Sequence, residues 1–322
     1  MKQLQGRAHA RNTDSTYGVG LKSFLRFCIF YGLEYGNPSD ETLAAYVAFQ
    51  SQTCSYKTIK VYLSGIKDFV LKSGFEFPDL KFRYPLKAAL RGCLRTFGDT
   101  ARQKLAVSPK LLLMMRGFLN MSCYNDVIIW AAMLLAFFCV LRKDNIGVGK
   151  GLIFDPEYHL TRSDFVLFGG QWWVRLRRSK TNQFKRTIHW VPLVPIPGHP
   201  LCPVTAILAV IKLRGDCGPN APMFCWNTQA KGPTALTQEQ LVRAFKYLVG
   251  KCGLDWTQYS GHSFRRGGAT FAFLIGADHD LIKVLGDWHS DAYLLYEQTT
   301  ATRRLSLPQN MVAAIQQGRI SF

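Results

Sequence analysis

Residues 261 to 300, GHSFRRGGATFAFLIGADHDLIKVLGDWHSDAYLLYEQTT, concentrate side chains that could act on an anionic group. His262 and Arg265 stand three apart, so on a helix both project from one face. A guanidinium there would grip oxyanions with a forked, permanently charged donor set. An imidazole beside it would exchange a proton near neutral pH. Trp288, His289 and Tyr296 add an indole N–H, a second imidazole and a phenol. Taken alone, H-x-x-R also fits plainer roles, with His262 as a helix cap and Arg265 in a surface ion pair. His279 between Asp278 and Asp280 could suit a metal, but a helix cap with exposed acids is the preferred reading. The sequence holds no G-x-x-x-x-G-K-[ST] phosphate loop and no carboxylate cluster suited to two-metal catalysis. No cofactor or metal is therefore expected.

These residues need elements to hold them. The spacing predicts helices over 203–213, 238–251, 263–275 and 280–285, and a buried helix within the apolar run Val127 to Leu141. That run ends at Arg142 and is short for a membrane span. GGQWWVRLRRSKTNQFKRTIHWVPLV reads as two strands about a turn near 181–184. Upstream, Asn12 to Ser15 offer caps for an aromatic-rich helix ending near Gly32. Ser39 and Ser55 cap two more, the latter stopping at Gly74, and a fourth helix is expected over 85–96. Ile59, Leu63, Ile66, Phe69 and Val70 share the inner face of the third helix. Lys57, Lys60 and Lys67 line its flank, either as a solvated stripe or as phosphate contacts. FGDTARQKLAVSP reads as a linker. The expected fold is mostly α with a small antiparallel β-sheet (α+β), with a helical domain over 1–98, a linker over 99–109 and a second domain over 110–322 that ends in a tail helix.

Composition narrows the partner. Forty Lys and Arg against 21 Asp and Glu give a net charge of +19, and 48% hydrophobic residues support true cores. The basic excess runs through both the first hundred residues and the remainder, as expected of a protein that meets a polyanion, nucleic acid above all. Nine cysteines include no C-x-x-C pair, so a reducing compartment is expected. The start, MKQLQGRAHARN, has no apolar signal core, and no membrane association is expected.

In order and spacing, H-S-F-R-R-G-G-A-T followed by L-G-D-W-H-S-D-A-Y-L-L-Y resembles the C-terminal half of the tyrosine recombinase (phage integrase-like) family. FFCVLRKDNIG supplies Arg142 where that family places its first arginine, and RRSKTNQ supplies Lys180 where it has a β-hairpin lysine. The likeness extends to a helical core-binding domain in the N-terminal half. The wording of L-R-K-D-N and L-G-D-W-H-S-D-A-Y is closest to the crypton and DIRS-like recombinases of eukaryotic mobile elements. Two departures stand out. Asn145 occupies a position where many members have Glu or Asp, with Asp144 adjacent as a substitute. Tyr296 follows Trp288 by eight residues instead of nine, leaving Tyr293 as a rival nucleophile.

The resemblance implies site-specific strand cleavage and rejoining through a 3′-phosphotyrosyl intermediate, without metal or ATP. Its catalytic set here would be Arg142, Lys180, His262, Arg265, Trp288 and Tyr296. Arg142 and Arg265 would meet the charge on a pentavalent phosphorus, each contributing on the order of 3 to 4 kcal/mol. His262 would take the proton of a phenol that ordinarily ionises near pH 10. Lys180, or Lys185 as runner-up, would protonate the leaving oxygen. Trp288 would donate one hydrogen bond or pack the site, with His289 as a substitute donor. Lys57, Lys60, Lys67, Arg91, Arg102, Lys104 and Lys185 are candidate DNA contacts. The partners implied are double-stranded DNA and a homotetramer on synapsed sites, one dimer per site, with exchange of the 303–322 tail. The compartment would be the nucleus in a eukaryote and otherwise the cytoplasm. The alternatives are a type IB topoisomerase-like enzyme and a non-catalytic DNA-binding protein that keeps the fold.

Overall fold

The computed structural model describes residues 11–77, 83–98, 103–177, 188–228 and 232–297, with 309, 312, 313, 316 and 317 of the tail. The chain divides into two compact units, Met1–Gln103 and Lys104–Phe322. As expected, the architecture is mostly helical with a small antiparallel sheet.

The first unit holds α1 (Arg11–Tyr31), α2 (Asp40–Ser51), α3 (Tyr56–Lys72) and α4 (Tyr84–Phe97). Ser39 and Ser55 each accept a hydrogen bond from a backbone N–H in the first turn they cap, at 3.2 and 3.3 Å. This satisfies donors that a helix start otherwise leaves unpaired. The helices close on a core that includes Phe24, Tyr46, Ile59, Leu63, Ile66 and Leu86. Phe69 is only partly buried at its edge. Lys57, Lys60 and Lys67 lie on the exposed flank of α3.

The second unit begins with an extended segment, Lys104 to Ser108, read from sequence as the end of a linker. It lies against this unit: the Leu105 and Val107 N–H groups donate to the Gln258 and Ser263 carbonyls at 2.8 and 3.0 Å. Then follow α5 (Pro109–Arg116) and α6 (Tyr124–Phe138). Every residue of α6 from Val127 to Phe137 is buried, so this helix, apolar all round, forms the centre of the core. A short α7 (Lys143–Ile146) leads to β1 (Phe165–Phe168), β2 (Gln171–Leu176) and β3 (His189–Leu193). These pair antiparallel in that order, with Val174 opposite both Phe165 and Val191. Val174 and Leu176 turn one face of β2 into the core, as the two-residue period requires. The chain continues through α8 (Pro203–Arg214), the hairpin β4 (Cys225–Thr228) and β5 (Gly232–Ala235), α9 (Gln238–Lys251), α10 (Ser263–Leu274) and α11 (His279–Leu285). A 3-10 helix, Asp291–Tyr296, ends the continuous part. Strand β1 and the β4–β5 hairpin are additions to the sequence reading. The expected turn at 181–184 and most of the tail helix lie outside the described residues. Among the described residues no helix is long and apolar enough to cross a membrane.

Candidate active site

Arg142 is placed by a reversal at the end of α6. Val140 adopts φ 51°, a left-handed conformation that a β-branched residue rarely enters. The chain then runs extended through Arg142 into α7. Asn145 does not act on the guanidinium here. Its side-chain oxygen accepts from the Arg142 backbone N–H at 3.1 Å, fixing the main chain instead. Asp144 is exposed and pairs with Lys143 at 2.9 Å. Burial draws the half-buried Arg142 guanidinium below its usual range, opposed first by the Asp287 carboxylate and then by Asp144 and Tyr296.

Arg265 is not in a surface ion pair. It lies in α10 with 2% of its surface exposed. One Nη donates to the Val140 carbonyl and the other to the Gly286 carbonyl, each at 2.6 Å. The Trp288 ring lies under the guanidinium, 3.8 Å from its carbon, close enough for a cation–π contact. Burial and then the like charge of Arg142 lower Arg265 to about 9, which leaves it charged at neutral pH. The Trp288 ring in turn needs Gly286, since a Cβ there would run into the indole. In α10, Gly267 and Gly268 face the Val107 and Phe137 carbonyls so closely that a methyl on either would meet main chain. Gly267 lets α10 close on the extended segment at Val107, and Gly268 lets it sink against α6, which brings Arg265 to the segment that carries Arg142.

His262 makes no side-chain cap bond at the start of α10. Its Nε2 lies 2.5 Å from the Tyr296 hydroxyl. Partial burial and then Arg265, Arg142 and Arg266 push the imidazole down to about 4, although one side of the residue stays open to solvent. It is therefore neutral at pH 7 and able to accept a proton. Tyr296 is held at its carbonyl by the Thr270 hydroxyl at 2.8 Å. The ring has Trp288 5.8 Å away, centroid to centroid, and the Arg266 guanidinium 5.4 Å from its centroid. Tyr293, the rival, is 5% exposed and stacks on Phe273 with an interplanar angle of 8°. It belongs to the core of this lobe.

The structure thus brings together Arg142, His262, Arg265, Trp288 and Tyr296. Lys180, Lys185 and Arg102 lie outside the described residues. Strand β2, which runs towards Lys180, is anchored by the buried Asp164. That carboxylate takes Arg175 at 2.9 Å and Arg177 at 3.0 Å. It also accepts from the backbone N–H and the hydroxyl of Thr161. Arg91 is exposed on α4, and Lys104 donates to the Thr257 carbonyl at 2.7 Å. His289 is exposed and lies 3.3 Å from an Asp287 oxygen. Asp278 caps α11, as the plainer reading held, and His279 approaches Glu297 at 3.9 Å. Sequence reasoning missed Asp287, Arg266 and Thr270. Arg266 and Thr270 sit in the same motif, one and five residues past Arg265, and helical spacing alone would have marked them for inspection.

No family model matches the chain. It is 22% identical over 284 residues, 87% of its length and 78% of the relative's, to an integrase/recombinase xerD homolog of Selenomonas ruminantium. Among solved structures it is similar to the XerH site-specific recombinase bound to its difH substrate in a pre-cleavage complex. That likeness has a TM-score of 0.59 and 17% identity, over 91% of this chain and 78% of that one. The Tn1549 transposon integrase in complex with transposon right end DNA gives 0.60 and 16%, over 97% and 98%. A lambda integrase dimer bound to a COC′ core site gives 0.57 and 16%, over 93% and 93%. Given the buried arginine, the imidazole–phenol pair and this likeness over nearly the whole length, the chain has the fold shared by these site-specific recombinases and integrases.

Proposed function

We propose that the chain is a tyrosine recombinase, cutting and rejoining duplex DNA at specific sites with Tyr296 as nucleophile. The observation that carries this reading is the gathering of a neutral imidazole, a phenol and two guanidiniums, one of them the buried Arg265, with His262 already 2.5 Å from the Tyr296 hydroxyl. In the reaction the Tyr296 oxygen attacks a backbone phosphorus while His262 takes its proton. The bond from phosphorus to the 5′-oxygen breaks, and that oxygen leaves with a proton from Lys180. The product is a 3′-phosphotyrosyl bond and a free 5′-hydroxyl. Attack by another 5′-hydroxyl reverses the steps on a new partner strand. Arg142 and Arg265 bear the charge that builds on the non-bridging oxygens. Arg265 arrives rigid, because two main-chain carbonyls and an indole hold it before DNA binds. The phosphotyrosyl bond conserves the energy of the original linkage, so no nucleotide is consumed.

The role that fits is integration or excision of a mobile element, acting as a homotetramer with one dimer per site. The affinity to crypton- and DIRS-like recombinases rests on the wording of LRKDN and LGDWHSDAY. A recombinase is favoured over a topoisomerase by the apolar side chains on α10, α11 and the 3-10 helix. These elements pack on one another and leave Ile275, just past α10, with Leu281, Val284 and Leu295 exposed, each by more than 60%. That surface suits a tail segment, from the 303–322 region, exchanged from a neighbouring copy. The protein would work in the nucleus of a eukaryotic host, or in the cytoplasm otherwise.

The test uses duplexes that the protein itself selects from a randomised pool, then nicked at successive positions so that the short fragment bearing the free 5′-hydroxyl diffuses away after cleavage. Wild type is expected to form a protein–DNA adduct stable to denaturation. Tyr296→Phe should form none, and Tyr293→Phe should retain it. Selection of DNA with no adduct at any nick would instead mark a non-catalytic DNA-binding protein.

A further inference from the structure

Two residues outside glycine have a left-handed backbone among the described residues, Val140 and Asp287, both at φ 51°. Both lie at the arginine cradle. The Val140 carbonyl takes one Arg265 Nη, and the Gly286 carbonyl, immediately before Asp287, takes the other. A single guanidinium therefore staples the segment that carries Arg142 to the turn that carries Asp287. Trp288, the next residue, lies under the same guanidinium. Asp287 is thus fixed between two contacts to Arg265, and its carboxylate is the leading favourable charge on Arg142. Its side chain is 18% exposed and meets His289 at 3.3 Å. Of the carboxylates near the arginines, Asp144 is the less suited, since it is half exposed and already paired with Lys143.

We infer that Asp287 is the acidic positioning residue of the arginine pair, supplying from the turn after α11 the carboxylate that Asn145 lacks; this rests on the recombinase reading above. Without an acid, the fixed charge of Arg265 repels the half-buried Arg142 guanidinium and would drive it away. A carboxylate held beside them keeps the Arg142 fork in place until a phosphate arrives. The charges facing this group from the surrounding elements are Arg142 after α6, Lys143 and Asp144 in α7, Arg265 and Arg266 in α10, and His289. The favourable pull of Asp287 acts on both arginines, and on Arg142 it exceeds that of Asp144. The left-handed backbone is consistent with such a role, because strain of this kind persists where the surroundings over-determine it. Asp is also among the residues that tolerate that conformation best.

The test separates charge from backbone. Asn enters the left-handed region as readily as Asp, and Gly more readily, but neither carries a charge. On the nicked duplexes, Asp287→Asn and Asp287→Gly are both expected to slow single-turnover adduct formation about 10- to 100-fold, the scale of a small misplacement of reacting groups. Affinity for the same duplexes should stay level or rise, because a negative charge near the phosphate is gone. A purely structural role would leave both variants at the wild-type rate, and that result overturns the assignment while the recombinase reading stands. Absence of an adduct from wild type would overturn that reading, and this inference with it. Urea unfolding of the two variants at wild-type midpoints assigns a slowed reaction to the charge. A slowed reaction together with an early unfolding midpoint in both variants counts against the assignment.

Discussion

His262 sits among three guanidiniums, and its imidazole is held neutral well into the acid range, to about 4. Its ordinary value in an unfolded chain is near 6.5. Between those values the unfolded chain binds a proton that the folded protein does not. Stability from this group is therefore full above pH 6.5 and is lost as pH falls towards 4. Urea midpoints measured at pH 7.5 and pH 5 should fall for wild type and fall less for His262→Gln. An equal fall in both would place the acid sensitivity elsewhere. The spacing of His262, Arg265 and Tyr296 was legible in the sequence because the residues themselves carry the chemistry. The cradle around Arg265 was not, since its two acceptors are main-chain carbonyls that any residue supplies. Asp287 was hidden for a related reason: its significance comes from a backbone handedness that only the folded turn reveals.

Elements bring these residues together, and α10 does most of it. Its glycine pair was part of the sequence motif, yet the reason for it lies in the approach of the Val107 and Phe137 carbonyls. Gly268→Ala should destabilise the second unit by about 3 kcal/mol, at the upper end of the cost of overpacking. The atom in the way is backbone and cannot turn aside. The measurement is the urea unfolding midpoint, and a variant at the wild-type midpoint would show that α10 can shift. The helices were legible because their apolar periodicity and caps are local signals. The Ser39 and Ser55 caps and the bounds of α9 follow the sequence reading closely. Strand β1 is four residues long, and β4 and β5 pair CWNT with GPTA, with no alternation to betray them. Such short strands owe their existence to partners, so tertiary pairing is what makes them.

For the whole molecule the governing quantity is charge. A net charge of +19 predicts that binding to any duplex weakens steeply with salt, because each neutralised phosphate releases counterions. If Lys57, Lys60 and Lys67 each meet a phosphate, changing all three to Ala should make the plot of log affinity against log salt shallower by about 2 to 3. The loss should be nearly equal for selected and random duplexes, as expected of contacts that position without reading bases. An unchanged slope would mark the stripe on α3 as a solvated face. The excess of Lys and Arg was visible from composition, whereas its arrangement within each unit required the fold.

The reversed backbone at Val140 bears on how this chain can drift over time. Its carbonyl, not its side chain, takes one of the bonds that hold Arg265. Selection at that position therefore acts on the hand of the main chain as well as on the buried side chain, which packs in the core with Ala269 and Phe273. A saturation library should find glycine, which relieves the left-handed backbone at the cost of a small cavity, tolerated better than polar residues at 140, while at 265 it should find every replacement rejected. A tally of letters at 140 would read as core packing alone, though the charge that meets the phosphate also depends on its carbonyl.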